Sequence, residues 1–210
     1  MGLGDRAGTG ACPYGGDMTF NPDIHGRRSI RLQGYDYSRA GAYFITICTQ
    51  NRECLFGDIV DGKMVLNPAG DMIQTVWDEI PFHYPGIEID EFAVMPNHVH
   101  GIIVIVAPTG NTGSLSLGDI MHRFKTMTTK RYADGVKQSG WRRFSGKLWQ
   151  RNYWEHIVRN DMELGRIREY ICTNPIQWES DRLNLVERET GGPIMVREPV
   201  FDYSTEGWMV

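Results

Sequence analysis

Apolar and polar positions change period several times along the chain, and each change marks an element. Residues 42–49, Ala-Tyr-Phe-Ile-Thr-Ile-Cys-Thr, are dense in β-branched and aromatic side chains and read as a strand. Residues 58–66 place Asp61-Gly62 between two short apolar arms, the pattern of a hairpin. A helix is expected next. Asn67 is suited to cap it, Pro68 fits its first position, and Ile73, Val76, Trp77 and Ile80 recur at helical spacing. Pro81 is expected to stop it. Residues 87–95 and 98–106 read as two further strands. The second is apolar on both faces beyond its start, which suits a central position in a sheet.

After a loop at Gly110–Gly113, a second helix begins at about Ser116. Leu115 and Ile120 form a hydrophobic staple, and Leu117, Ile120, Met121 and Phe124 make the core stripe. Arg123, Lys130 and Lys137 are spaced by seven and share a different, basic face. A polar loop over 138–147 leads to one or two short strands within 148–158. A third helix spans about Asp161 to Thr173, with Asn160 as cap, Glu163 three residues on and Pro175 as its end. The mixed order of strands and helices gives an α+β fold with an antiparallel sheet.

The chain has 210 residues, of which 41% are hydrophobic, enough for one core and one domain. Residues 1–17 hold six glycines and little that packs. A disordered segment is therefore expected to about residue 26, with Met18 a candidate start. The domain is then expected over 27–178, with a C-terminal extension over 179–210. No apolar run approaches the roughly 20 residues of a membrane span, and no signal core opens the chain. The four cysteines show no C-x-x-C spacing and read as reduced thiols of a cytoplasmic protein.

Net charge is −4, which does not by itself suggest nucleic acid, but the average hides an asymmetry. Residues 122–151 carry nine Lys/Arg against one acid, a net of +8, leaving −12 for the rest. Such a block reads either as a phosphate-binding footprint or as a solvated helix and loop.

Three constellations could carry chemistry. His98 and His100 are two residues apart on a strand, so both point to one side, and two imidazoles there can share a metal ion. They read otherwise as unrelated histidines at a strand mouth. Tyr170 and Asn174 are one helical turn apart on a flank of the stripe Leu164, Ile167 and Ile171, which would hold both at the sheet's edge. From the residues alone they read rather as a half-buried helix anchor and a helix end before proline. His156 is either a further polar group near the site or a structural histidine. Trp149, Tyr153 and Trp154 lie beside the basic block and either stack bases or fill the core.

In this arrangement the sequence resembles the single-tyrosine HUH transposases, and within them the REP-associated tyrosine transposase branch. The residues that carry the resemblance are Met95-Pro96-Asn97-His98-Val99-His100-Gly101, Trp149-Gln150-Arg151-Asn152-Tyr153-Trp154-Glu155-His156 and Arg168-Glu169-Tyr170-Ile171-Cys172-Thr173-Asn174-Pro175, with Gly34-Tyr35-Asp36-Tyr37 and the strand through Ile45–Thr49. It spans about residues 27–178. It implies a single RRM-like, ferredoxin-like domain with the histidine pair on a central strand and Tyr170 as nucleophile on a C-terminal helix. Insertion-sequence members have a metal-binding glutamine where this chain has Asn174, a shorter side chain also found in the REP-associated branch. Either a monomer or a homodimer is compatible with the family.

The resemblance implies cleavage of single-stranded DNA at hairpin-flanked sites. Tyr170 would attack a phosphodiester to leave a 3′-OH and a 5′-phosphotyrosine, with Mg2+ or Mn2+ on His98, His100 and Asn174. Arg123, Lys130, Arg142, Arg143, Arg151 and Trp154 are the candidate DNA contacts. Two other readings stay open: a domesticated hairpin-binding protein with little catalysis, and a metal-dependent nuclease in which water attacks.

Overall fold

The structure, a computed structural model, describes residues 32, 34–106, 115–181 and 183–184. The expected N-terminal disorder, the loop Gly110–Gly113 and most of the C-terminal extension lie outside the described residues.

The first strand, β1 (Gly41–Cys48), is followed by a small hairpin, β2 (Gly57–Val60) and β3 (Lys63–Leu66). Asp61 and Gly62 turn that hairpin with φ of 50° and 71°, the left-handed pair that matches strand twist. Helix α1 (Pro68–Asp78) starts where expected, because Asn67 accepts from the Ala69 and Gly70 amides. Pro81 does not end helical structure as expected. The chain breaks two residues earlier, at Glu79, and Pro81 sits in the first turn of a separate short helix, α2 (Ile80–His83), where its missing N–H costs nothing.

Strands β4 (Ile87–Val94) and β5 (His98–Ile105) precede helix α3 (Leu117–Ser139), whose Ser116 and Asp119 form a reciprocal capping box. Strand β6 (Trp154–Val158) and helix α4 (Asp161–Thr173) follow. Helix α4 ends at Thr173 as expected, and a 3-10 segment follows over Asn174–Ser180 with Pro175 in its first turn.

The four long strands form one sheet in the order β4-β5-β1-β6, with every neighbouring pair antiparallel. This is the ferredoxin-like arrangement expected of the fold, and it places the histidine pair on β5, a central strand. Strand alternation divides the side chains between two faces. Tyr43, Ile45, Ile47, Val99 and Ile103 enter the larger core with Trp77 of α1 and Ile120 and Phe124 of α3. Phe44 and Ile102 face the other way, onto Ile167 and Ile171 of α4. That second face also carries the two histidines. Among the described residues no helix is long and apolar enough to cross a membrane.

Candidate active site

His98 and His100 point to one side of β5, as their spacing predicts, and both are fully buried. Their Nε2 atoms lie 3.0 Å apart. Each ring is held from behind. Asn97 Nδ2 donates to the carbonyls of Arg52 and Leu183, so its Oδ1 must face His98 Nδ1, 2.8 Å away. An amide oxygen only accepts, so His98 carries its proton on Nδ1 and leaves Nε2 bare. His100 Nδ1 meets Thr46 Oγ1 at 2.8 Å, a hydroxyl that serves as donor or acceptor. His100 is therefore able to take the same tautomer. Burial, then the neighbouring His100 and Arg52, hold the His98 pKa well below the usual histidine range, and burial lowers His100 to about 3. Both rings are neutral at physiological pH, the form that ligates metal.

Helix α4 brings Tyr170 to this pair. Asn160 caps the helix through the Glu163 amide, and Ile167 and Ile171 dock it on Phe44 and Ile102. Tyr170 then lies half-buried with its hydroxyl 3.5 Å from His100 Nε2 and its ring 5.2 Å from the imidazole. Asn174, one turn on, caps the C-terminus of α4 and is buried. It biases both His98 and Asp181 toward their charged forms, although its Oδ1 meets no partner in hydrogen-bond geometry.

Several neighbours of the site carried no signal in the sequence. Thr46 is the cross-strand partner of His100, a relation visible only once the register is fixed. Trp178 packs its ring 6.0 Å from His98. Asp181 forms with His98 and His100 a cluster whose ligand atoms all lie within 4.8 Å of one another. Burial raises its carboxyl pKa, opposed by the Leu183 amide, Asn174 and Arg52. Both come from the chain beyond α4, where no periodicity advertises a site.

The donor set fits a divalent cation. Two bare imidazole nitrogens bound at about 2.1 Å and at right angles would stand about 3.0 Å apart. The pair shows that separation, and beside it are two buried oxygens without hydrogen-bond partners, Asn174 Oδ1 and Asp181 Oδ2. Buried polar atoms left unpaired are rare and call for an explanation.

The other expected residues are distributed unevenly. Trp154 is on the histidines' face, next to Thr46 in register, with its ring edge-on to Phe44 and stacked on His156. His156 shares that face but gives Nε2 to Glu163 at 2.7 Å, tying β6 to α4. Arg142, Arg143 and Arg151 are exposed on the loop before β6. That loop binds the end of β1 through the Gln150 amide and the Cys48 carbonyl, and Cys48 pairs with His98. Arg123 and Lys130 are exposed on α3, which packs on the opposite face of the sheet. Arg123 lies over the Tyr84 ring, beside the start of β4 and away from the histidines. Trp149 and Tyr153 join the larger core on that opposite face, with Trp149 buried and donating to Thr128 Oγ1.

Residues 39–174 match the family described as "Transposase IS200 like". A Haemophilus influenzae protein described as uncharacterized is 42% identical over 183 residues, covering 78% of this chain and 96% of its own. The REP-associated tyrosine transposase of Escherichia coli K12 is 24% identical over 142 residues, covering 67% of this chain and 70% of its own. Among solved structures, a REP-associated tyrosine transposase bound to a REP hairpin shares the fold with a TM-score of 0.50 and 21% identity, covering 70% of this chain and 73% of the other.

Proposed function

The chain belongs to the IS200-like transposase family, and from that premise we propose that it is a single-tyrosine DNA strand transferase with Tyr170 as nucleophile and His98 and His100 as metal ligands. The observation that carries the reading is the approach of the half-buried Tyr170 hydroxyl to within 3.5 Å of His100 Nε2. Tyr153, the other tyrosine of the signature segments, packs with the core on the far side of the sheet.

In the proposed step the Tyr170 Oη forms a bond to phosphorus and the P–O3′ bond breaks. The phenolic proton passes to water, and the departing 3′ oxygen takes one up to become a 3′-OH. The 5′-phosphotyrosine keeps the free energy of the broken ester, so a second 3′-OH rejoins the strand without a nucleotide cofactor. A tyrosine hydroxyl has an intrinsic pKa near 10 and attacks poorly at pH 7. A divalent ion, Mg2+ or Mn2+, would polarise the scissile phosphate and take up developing charge. Asn97 and Thr46 hold the two rings so that their Nε2 atoms converge, and the docking of α4 holds the phenol against them. Trp154 and Phe44 pack edge-on beside the tyrosine ring on the β6 side.

Single-stranded DNA is the proposed partner, recognised beside hairpins, in keeping with the hairpin bound by the structurally similar transposase. Arg142, Arg143 and Arg151 would lead the strand to the site, with Arg123 and Lys130 as a separate backbone contact. The cytoplasm is the proposed compartment; Cys48, Cys54 and Cys172 are all free thiols.

Tyr170→Phe tests the proposal. It removes one oxygen and keeps the ring edge-on to Phe44. The variant is expected to bind hairpin-flanked single strands as the wild type does and to cleave none. Undiminished cleavage by Tyr170→Phe would pass the attack to Tyr153 or, if Tyr153→Phe also cleaves, to water. Absence of cleavage by the wild type with Mn2+ would leave a binding protein.

A further inference from the structure

On the reading that His98 and His100 hold a divalent ion, we propose that Asp181 supplies a third, anionic ligand, so that the segment after α4 completes the metal centre. The two carboxylate oxygens of Asp181 are treated differently. Oδ1 accepts from the Leu183 amide at 2.7 Å. Oδ2 is buried, has no hydrogen-bond partner, and lies 4.0 Å from His98 Nε2. A carboxylate oxygen out of water and without a donor is unfavourable unless a cation shares its space. The atoms within reach on the site side are the Nε2 atoms of the histidine pair, that of His98 bare and that of His100 free to be so in the tautomer Thr46 allows.

Asn97 links the two halves of this set. Its Oδ1 fixes the His98 ring while its Nδ2 holds the Leu183 carbonyl at 2.8 Å. One side chain thus sets the orientation of one ligand and anchors the backbone two residues after the other. Asn97 is a positioning residue in this scheme. The Asn174 amide is the neutral rival for the third place. Mg2+ and Mn2+ are hard ions that favour carboxylate oxygen, and an anion offsets part of their charge where an amide does not. Asn174 then steadies Asp181 and His98 from the side.

Titration of full-length protein with MnCl2 by calorimetry, without DNA, tests the assignment. Asp181→Asn keeps an oxygen for the Leu183 amide and removes the charge. It is expected to weaken Mn2+ binding about tenfold or more, a loss of the size seen when a metal site loses a supporting group, while the melting temperature in EDTA is unchanged. Asp181→Glu, which keeps the anion, is expected to bind more tightly than Asp181→Asn. Wild-type Mn2+ affinity in Asp181→Asn would overturn the proposal, as would equal losses in the Asn and Glu variants. His100→Ala separates this from the reading beneath it. If His100→Ala loses Mn2+ while Asp181→Asn keeps it, the histidine site stands and Asp181 is only an anchor. If His100→Ala binds as the wild type does, the site itself is wrong.

Discussion

Gly101 follows His100 directly, and its missing side chain lets α1 close over the strand. A Cβ there would sit 2.6 Å from the Trp77 ring and 2.8 Å from Phe92, two rings that stack at 4.2 Å. Both are ring atoms wedged in the core, so Gly101→Ala must displace the helix or the strand that carries the histidines. Overpacking of this kind costs about 1–3 kcal/mol, and urea unfolding should show it. On the opposite face, Thr46→Val keeps the shape beneath His100 but removes the hydroxyl at Nδ1. Mn2+ affinity is expected to fall about tenfold with little change in melting temperature; an unchanged affinity would mean that the ring is held by packing alone. The shared side of the histidine pair was legible from the strand period, whereas Tyr170 was picked out by the family resemblance, the helix period placing it only on a flank of the apolar stripe. Thr46 and Asp181 were not legible, because one depends on cross-strand register and the other on a path without periodicity.

At the scale of elements, the docking of α4 decides whether the tyrosine meets the histidines. Its apolar stripe is short, and Glu163 supplements it. The Glu163 carboxylate accepts from His156 Nε2 at 2.7 Å and from the Arg159 amide, so one side chain binds β6, the following turn and α4 together. Burial opposes the charge, but those partners outweigh it and the net pKa is lowered. A depressed carboxyl pKa stabilises the fold at neutral pH and is lost as pH falls below the usual glutamate value of 4.5. Glu163→Gln is therefore expected to cost about 1.5–3 kcal/mol at pH 7, and the gap from wild type should narrow as pH falls below that value. A gap that does not narrow as pH falls below 4.5 would assign the loss to packing. Helix starts were readable from their caps at Asn67, Ser116 and Asn160. The stop before Pro175 was readable too, at Thr173, but the stop expected at Pro81 was not, because that proline opens a new turn after a break at Glu79.

Across the whole molecule, the basic block divides into unlike parts. Lys125 is used internally on three backbone carbonyls and Arg131 pairs with Glu79. Arg151 follows Gln150, which joins the loop to the end of β1, whereas Arg142 and Arg143 stand where that loop packs back on α3 through Tyr132, and Arg123 and Lys130 stand on α3 itself. Charge counting in the sequence could not make that division, because it depends on which side of the sheet each segment covers. Each lost phosphate contact should flatten the plot of log affinity against log salt by about 0.7 for a single strand. Replacing Arg142, Arg143 and Arg151 by Ala together is expected to reduce the slope by about 2. An unchanged slope would remove the loop from the DNA path. For Arg123→Ala with Lys130→Ala the expected change is about 1.4 if the nucleic acid continues around the sheet edge to α3, and none if it does not. The most direct test of the central claim is the covalent intermediate. Wild-type protein incubated with Mn2+ and hairpin-flanked single-stranded DNA, denatured and digested, should yield one nucleotide-bearing peptide by mass spectrometry, with a 5′-phosphate ester on Tyr170. Cleaved DNA with no adduct, or an adduct on Tyr153, would contradict it.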